Sequence, residues 1–503
     1  MPPQALAAVA TLLSFAPHGN HIELRLDRGA AELVWITPST FRFRRTLDGP
    51  LPAIQTREAA GIVVRVDDTP AVLRLRSTAL DVFIRKQGVL VETRRLDGSP
   101  LMADLSEPRP SGSGVVWERQ EPAGVRFYGL GPRTDPSFDV RGKSLETEAP
   151  FLFATSGYGE YHRAAGVYRF DFRSGDRYEI RAPAIDYYFH YGPTMKQVFE
   201  EHKDMPLGTQ AWVASPDPAG SWDGLRATLL RLVHGAMSAM RAPSLALRPY
   251  DGMAPELVQR ARQLGSLVDD VSPGPLGLSG FRKQLDSFYA IYAVEARDRG
   301  FPIWHPLPFQ FPEDQECNLH PDEFMLGDEM LIAPILQPGG KRPVYLPRGV
   351  WTNLETNAVV PGRQTVEVET SGLPVFARNG TIVPLDSGGG LALHYFPTLP
   401  AEFFLLERDA DDWTQVHAAP AGDIMRLEIE AKAPRDYHWV VHHVGRPLEV
   451  GFEGRKYPEA LSAATMRDQT WFYDAGQKNL QIRVHVNAGE DRIINLSFQD
   501  AAR

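Results

Sequence analysis

His21-Ile-Glu-Leu-Arg-Leu26 sets apolar residues at every second position, and the same alternation returns in Gly61-Ile-Val-Val-Arg-Val66, Leu80-Asp-Val-Phe-Ile84 and Gly166-Val-Tyr-Arg-Phe-Asp-Phe172. A period of two, broken by Gly, Pro, Asp and Ser, is the mark of antiparallel strands with one buried face. The first two hundred residues therefore read as a large β-sandwich. Upstream, Val9 to Phe15 reads as a first strand. The apolar start of the chain lacks the positively charged region and small-residue cleavage site of a secretory signal.

Working outward, Pro193 to Lys203 reads as a helix with Met195, Val198 and Phe199 on one face. The next stretch is helical in character. Pro255 suits a first helical turn, and Leu257, Val258, Ala261 and Leu264 repeat at helical spacing until Gly265. A longer helix runs from a Ser279 cap to Gly300, with Phe281, Leu285, Phe288, Tyr289 and Tyr292 as its apolar stripe. Aromatics at that spacing are core. From Trp304 the pattern returns to short strands, among them Met330-Leu-Ile-Ala333, Pro343-Val-Tyr-Leu346 and Thr381-Ile-Val-Pro384. Gly388-Gly-Gly390 reads as a linker, and Leu391 to Arg503 alternates again.

Composition bounds the function. The chain has 503 residues, 43% hydrophobic and 23% charged, with a formal charge of −10, which is ordinary globular composition for several domains. No basic run suits phosphates, so nucleic acid is not an expected partner. No stretch approaches the roughly 18 apolar residues of a spanning helix, so neither is a membrane, and a cytoplasmic protein is expected. A single cysteine, Cys317, excludes an internal disulfide and any cysteine-based zinc site. His18, His21, His442 and His443 lack helical metal-ligand spacing and read as surface histidines. No metal or cofactor is expected.

Two motif-rich regions carry more specific information. The first holds Phe127-Tyr-Gly-Leu-Gly-Pro-Arg-Thr134, Ser156-Gly-Tyr-Gly159 and Asp186-Tyr-Tyr-Phe-His-Tyr-Gly-Pro-Thr194. The second holds Phe301-Pro-Ile-Trp-His-Pro-Leu307, Phe324-Met-Leu-Gly-Asp-Glu-Met-Leu-Ile-Ala-Pro334 and Leu373-Pro-Val-Phe-Ala-Arg-Asn-Gly-Thr-Ile-Val-Pro384. Together they resemble glycoside hydrolase family 31, the α-glucosidase and α-xylosidase family. The resemblance implies a mainly β fold with a helical middle. Its parts are a galactose-mutarotase-like β-sandwich (1–205), a truncated (β/α) barrel remnant (206–303), and two C-terminal β-sandwiches (304–387 and 388–503).

The middle is too short for the family's catalytic domain. A (β/α)₈ barrel takes about 250 residues, and Asp204 to Phe301 leaves room for about a third of that. Trp212 and Ser221-Trp-Asp-Gly-Leu-Arg-Ala-Thr228 resemble a late-barrel segment, and Ala254 to Gly265 resembles a helix near the barrel's end. The resemblance thus places roughly the first five barrel units as missing. Retaining hydrolysis needs two carboxyl groups about 5 to 5.5 Å apart. The family's nucleophilic aspartate lies in a Trp-x-Asp-Met-Asn-Glu segment, and no such segment occurs in this sequence.

The acid/base aspartate of the family maps ambiguously. Counting back from Trp222 reaches Asp217, whereas counting forward from Trp212 reaches Ser215. Asp217 is the one weak catalytic candidate, and its flanking Pro216 and Pro218 favour a solvated turn carboxylate. The family's later sugar-binding segments are replaced by Ala246 to Tyr250 and by Val268-Asp-Asp-Val-Ser272, and the loop after Arg141-Gly-Lys143 is short. Asp251, Asp269 and Asp270 offer material for a substitute pair. The leading expectation is a non-catalytic scaffold that binds carbohydrate or a protein partner. The alternatives are an active α-glycosidase with a substitute carboxylate pair, and a structural subunit that assembles with itself or with a full-length glycosidase.

Overall fold

The computed structural model describes all residues except 1–8, 54–60, 206–212, 215–219, 241–243, 246–252, 268–269, 272–279, 388–389, 408–411, 453 and 500–503. The chain divides into two compact units, one of 1–209 with 237–240 and 299–301, the other of 210–236, 241–298 and 302–503.

In the first unit the alternation of the sequence becomes an antiparallel sheet of eight strands, ordered Leu12–His18, His21–Leu26, Ala30–Thr37, Thr40–Arg45, Ile185–Tyr191, Tyr158–His162, Phe151–Ala154, Phe127–Gly129. Ile22, Leu24 and Leu26 are buried while Glu23 and Arg25 face solvent. Each buried aliphatic side chain contributes about 2 kcal/mol, and a one-residue slip would drive the charged set inward, so the register is fixed. Two further sheets of five strands complete the unit. Trp35, Phe41, Phe189 and Tyr158 form successive ring contacts of 5.5, 5.1 and 5.2 Å through the core.

The first strand is Leu12–His18, not Val9 to Phe15. Its pairing runs on to His18 opposite His21 because Gly19, at φ +62°, turns the hairpin. Pro17 is tolerated because this strand is an edge. Inside the unit, Arg119 donates to Asp104 at 2.9 Å and to Glu160, and His162 lies 3.3 Å beyond Glu160. Burial would push the Glu160 carboxyl up, but Arg119 and His162 together outweigh it and hold the group below its ordinary range. The helix Met195–His202 begins with a capping box between Thr194 and Gln197 and buries Met195, Val198 and Phe199 as its spacing predicts.

The second unit opens with two β-helix-β crossovers. Val213–Ala214, Ser244–Leu245 and Asp270–Val271 form a parallel three-stranded sheet. Parallel pairing needs a crossover between strands, supplied by the helices Trp222–Ala236 and Pro255–Gly265. The second helix has Pro255 in its first turn and buries Leu257, Ala261 and Leu264, with Val258 only partly covered. Its Arg260 is buried too and donates to the carbonyls of Thr370, Ser371 and Gly372 at 2.7–3.0 Å.

Two sequence expectations change here. The helix expected from Ser279 to Gly300 is two helices, Gly280–Gln284 and Asp286–Arg299. The break falls at Leu285, whose carbonyl accepts the first bond of the second helix from Tyr289. Asp386 satisfies the exposed start of that helix, accepting from the Ser287 N–H at 2.8 Å and the Ser287 hydroxyl at 2.7 Å. The Ser279 cap lies outside the described residues. Gly388-Gly-Gly390 is no linker either. Ile382–Ser387 and Gly390–Tyr395 pair antiparallel up to Ser387 opposite Gly390, so Gly390 belongs to a strand of the same sheet, while Gly388 and Gly389 lie outside the described residues.

The remaining strands form two layered β regions. One has a six-stranded sheet, Trp304–Pro306 through Val359–Pro361, and a two-stranded sheet, with Leu331, Ala333, Val344, Trp351 and Phe376 in its core. The other has a five-stranded sheet containing Arg435–Val441 and Asn479–Val486 and a six-stranded sheet containing Trp413–Ala421 and Asp491–Ser497. Among the described residues no helix is long and apolar enough to cross a membrane.

Candidate functional site

In α/β barrels the reacting groups sit at the carboxyl ends of the parallel strands. The three-stranded sheet has two levels. Val213, Ser244 and Asp270 stand at the amino side, and Ala214, Leu245 and Val271 at the carboxyl side. The connections leaving the carboxyl side begin at 215, 246 and 272. Trp212, Ser215, Asp217, Asp251 and Asp269 all lie outside the described residues. Asp270 opens the third strand at the amino level, one residue short of the carboxyl end.

The supports of this sheet are described and are structural. The Ser221 hydroxyl accepts the Gly224 N–H at 3.0 Å, capping the helix that starts at Trp222. Thr228 bonds back to the Gly224 carbonyl at 2.9 Å, while Leu225, Leu229, Leu232 and Val233 are buried. Leading into the third strand, the Leu267 carbonyl accepts from the Tyr289 hydroxyl at 2.5 Å and from the Trp304 indole at 3.1 Å. The strand is thus anchored from its amino side.

Beside these supports lies a buried acidic knot that sequence reading treated only as scaffold. Glu329 accepts from the Tyr292 hydroxyl at 2.6 Å and from the Asp328 N–H at 3.0 Å, and His305 Nδ1 lies 3.3 Å from Asp328. Burial, followed by the Asp328 charge, pushes the Glu329 carboxyl up to about 8. It therefore carries a proton at neutral pH and forms a neutral link rather than an acid facing solvent. The signal was present in the sequence: Gly327-Asp-Glu329 interrupts the apolar run Phe324-Met-Leu326 and Met330-Leu-Ile332, and acids inside such a run must find partners.

A second acidic group, His320, Asp322 and Glu323, brings one ligand atom from each residue within 4.8 Å of the others. Its charge is already met. Arg342 lies 2.9 Å from Glu323 and 3.5 Å from Asp322, and the Tyr345 N–H reaches both Glu323 oxygens at 3.1 and 3.2 Å. The arrangement is a strut tying Asp322 and Glu323 to the strand Lys341–Leu346, through its Arg342 and Tyr345. The histidines also divide. His18 is exposed, but His442 is not a surface histidine: it is partly buried, bonds His394 at 3.0 Å, and stacks on Phe396 at 4.4 Å. Burial dominates the depression of both rings, to about 4 for His394 and about 3 for His442.

The segment containing the Tyr292 partners and the Arg342 strut is also the one matched by a family profile. Residues 300–383 match the glycosyl hydrolase family 31 C-terminal domain. Over these residues the chain is similar to glycoside hydrolase family 31, in line with its sequence motifs. An alpha-glucosidase of Saccharolobus solfataricus is 36% identical over 104 residues, covering 21% of this chain and 15% of that protein. Mouse neutral alpha-glucosidase AB is 40% identical over 108 residues, covering 20% and 11%. A longer match, to an isomaltosyltransferase of Sporosarcina globispora, is 25% identical over 224 residues and covers 40% and 20%. The matched region thus spans a fifth or less of these relatives.

Among solved family 31 structures, the dextranase of Flavobacterium johnsoniae superposes with a TM-score of 0.79 at 14% identity, covering 97% of this chain and 100% of the other. The cycloalternan-forming enzyme of Listeria monocytogenes superposes with a TM-score of 0.78 at 14% identity, covering 97% and 77%. At that identity the likeness is one of fold. Within the family 31 frame, the intact motifs map onto described scaffold. Of the candidate carboxylates only Asp270 is among the described residues, and it lies in the third parallel strand.

Proposed function

We propose that this chain is a non-catalytic member of glycoside hydrolase family 31, a β-rich scaffold that binds carbohydrate or a protein partner. The observation that carries the reading is the three-stranded parallel sheet: among the described residues, three parallel strands stand where a barrel has eight. A strand carrying the nucleophile segment is absent from the sequence, so Asp217 has no family partner across the scissile bond. A general acid alone does not complete retaining hydrolysis, which needs a carboxylate on the opposite face of the sugar.

The test compares the wild-type protein with a Ser215→Ala/Asp217→Asn double variant on aryl α-glucosides and α-xylosides. Equal background rates for the two proteins support the scaffold reading. Turnover in the wild type well above that of the double variant overturns it in favour of an active glycosidase with a substitute pair. A glycan array then asks whether sugar binding survives.

A specific observation favours self-assembly as a further property of the same scaffold. The outer strands of the parallel sheet, Val213–Ala214 and Asp270–Val271, each pair on one side only among the described residues, and unpaired edges favour a covering surface. Light scattering on the purified chain distinguishes a monomer from a closed dimer.

A further inference from the structure

On the five-stranded sheet of the distal β region, a groove of about 430 Å³ lies between Gly390, Asp436, His438, Arg467, Arg483 and His485. That volume suits a small molecule. Strand parity builds it. Asp436 pairs with His485 and His438 with Arg483, so these four side chains share one face while Tyr437 and Val484, each 1% exposed, point to the core. Gly390 forms a bare part of the wall, because a Cβ there would meet the Asp436 carbonyl oxygen at 2.7 Å.

The charges in the groove are unevenly satisfied. Asp436 bonds His485 Nδ1 at 2.7 Å, and Asp468 accepts the His485 N–H at 2.7 Å and the Gln469 amide at 3.4 Å. Both carboxylates are thus engaged. The guanidiniums of Arg467 and Arg483 enter no ion pair or hydrogen bond among the described residues. Two free cations therefore face a space rimmed by engaged carboxylates that can still accept hydroxyl hydrogens.

We infer that this groove binds a monosaccharide-sized molecule bearing one anionic group, carboxylate or phosphate, beside hydroxyls. Arg467 and Arg483 take the anion, and Asp436 and Asp468 take the hydroxyls. The inference makes the carbohydrate arm of the scaffold reading specific and rests on that reading.

Calorimetric titration of the full chain with glucuronate, glucose 6-phosphate, glucose and inorganic phosphate tests it, using wild type and the Arg467→Ala and Arg483→Ala variants. Both arginines are exposed, and thermal unfolding checks that the variants remain folded. The expected result is that at least one acidic sugar binds, that glucose and phosphate bind at least tenfold more weakly, and that each variant loses tenfold or more. Which acidic sugar binds identifies the anion. No binding of either acidic sugar, equal binding of glucose or phosphate, or undiminished binding by the variants overturns the proposal. Glycan-array binding that persists in both variants leaves the scaffold reading standing while this groove falls.

Discussion

His442→Phe should cross the wild-type protein in stability as pH falls. The ring keeps its stack on Phe396 but loses the 3.0 Å hydrogen bond between His442 Nε2 and His394 Nδ1. That loss costs about 1 kcal/mol, so near pH 8 the variant is the less stable protein. The sign then reverses. A histidine whose folded pKa is depressed binds fewer protons in the folded than in the unfolded state, so its penalty grows as pH drops below the unfolded value of 6.5. At pH 5 that value lies about 1.5 units above the pH, giving about 2 kcal/mol for a ring still neutral when folded. The variant escapes this penalty and becomes about 1 kcal/mol the more stable near pH 5. Wild-type pH dependence alone is uninformative, because proton uptake by Glu329 runs the opposite way. The assay is chemical denaturation of both proteins at pH 8, 6.5 and 5. A stability difference that does not change with pH refutes the reasoning.

Glu329→Gln should gain on wild type as pH rises from about 5 to 8, by about 3 kcal/mol, because a carboxyl held protonated by burial costs stability as the unfolded state ionises; denaturant midpoints across that window check it. Gly327→Ala meets Tyr292 at 2.3 Å and a φ of +59°, and should lower stability by about 2–4 kcal/mol with loss of native near-ultraviolet dichroism before secondary structure. Arg260→Met leaves the Thr370, Ser371 and Gly372 carbonyls without their buried donor, and should cost about 3 kcal/mol in urea unfolding. If unpaired edges drive self-assembly, light scattering should report a dimer whose dissociation is insensitive to salt, since edge pairing is not electrostatic.

Period-two patterning located the β regions well because one buried face leaves a record at every second residue, as Ile22, Leu24 and Leu26 show. Helices resting on an apolar stripe were equally legible: Met195, Val198 and Phe199 are all buried. Errors came where a long-range partner decides a boundary. Asp386 starts a new helix at Ser287 from 99 residues away, and Gly390 is claimed by its pairing with Ser387. The acidic knot around Glu329 was missed for the same reason, since its partner Tyr292 is read locally as core. Of the proposed site, sequence could name carboxylates but not their levels. Only pairing shows that Asp270 stands beside Val213 and Ser244, on the side away from the carboxyl ends.

The hairpin from Ile382 to Tyr395 also bears on how such a protein can be divided. Ile382–Ser387 lies within two residues of the family-profile boundary at 383, yet it is the outermost strand of the distal five-stranded sheet. A fragment cut at the glycine run would surrender that strand and bare the flank of Gly390–Tyr395, whose Leu391, Leu393 and Tyr395 are buried. The distal region is therefore not a cassette that recombination could lift out at its glycines. A break that leaves the distal five-stranded sheet whole falls before Ile382, not at the glycines.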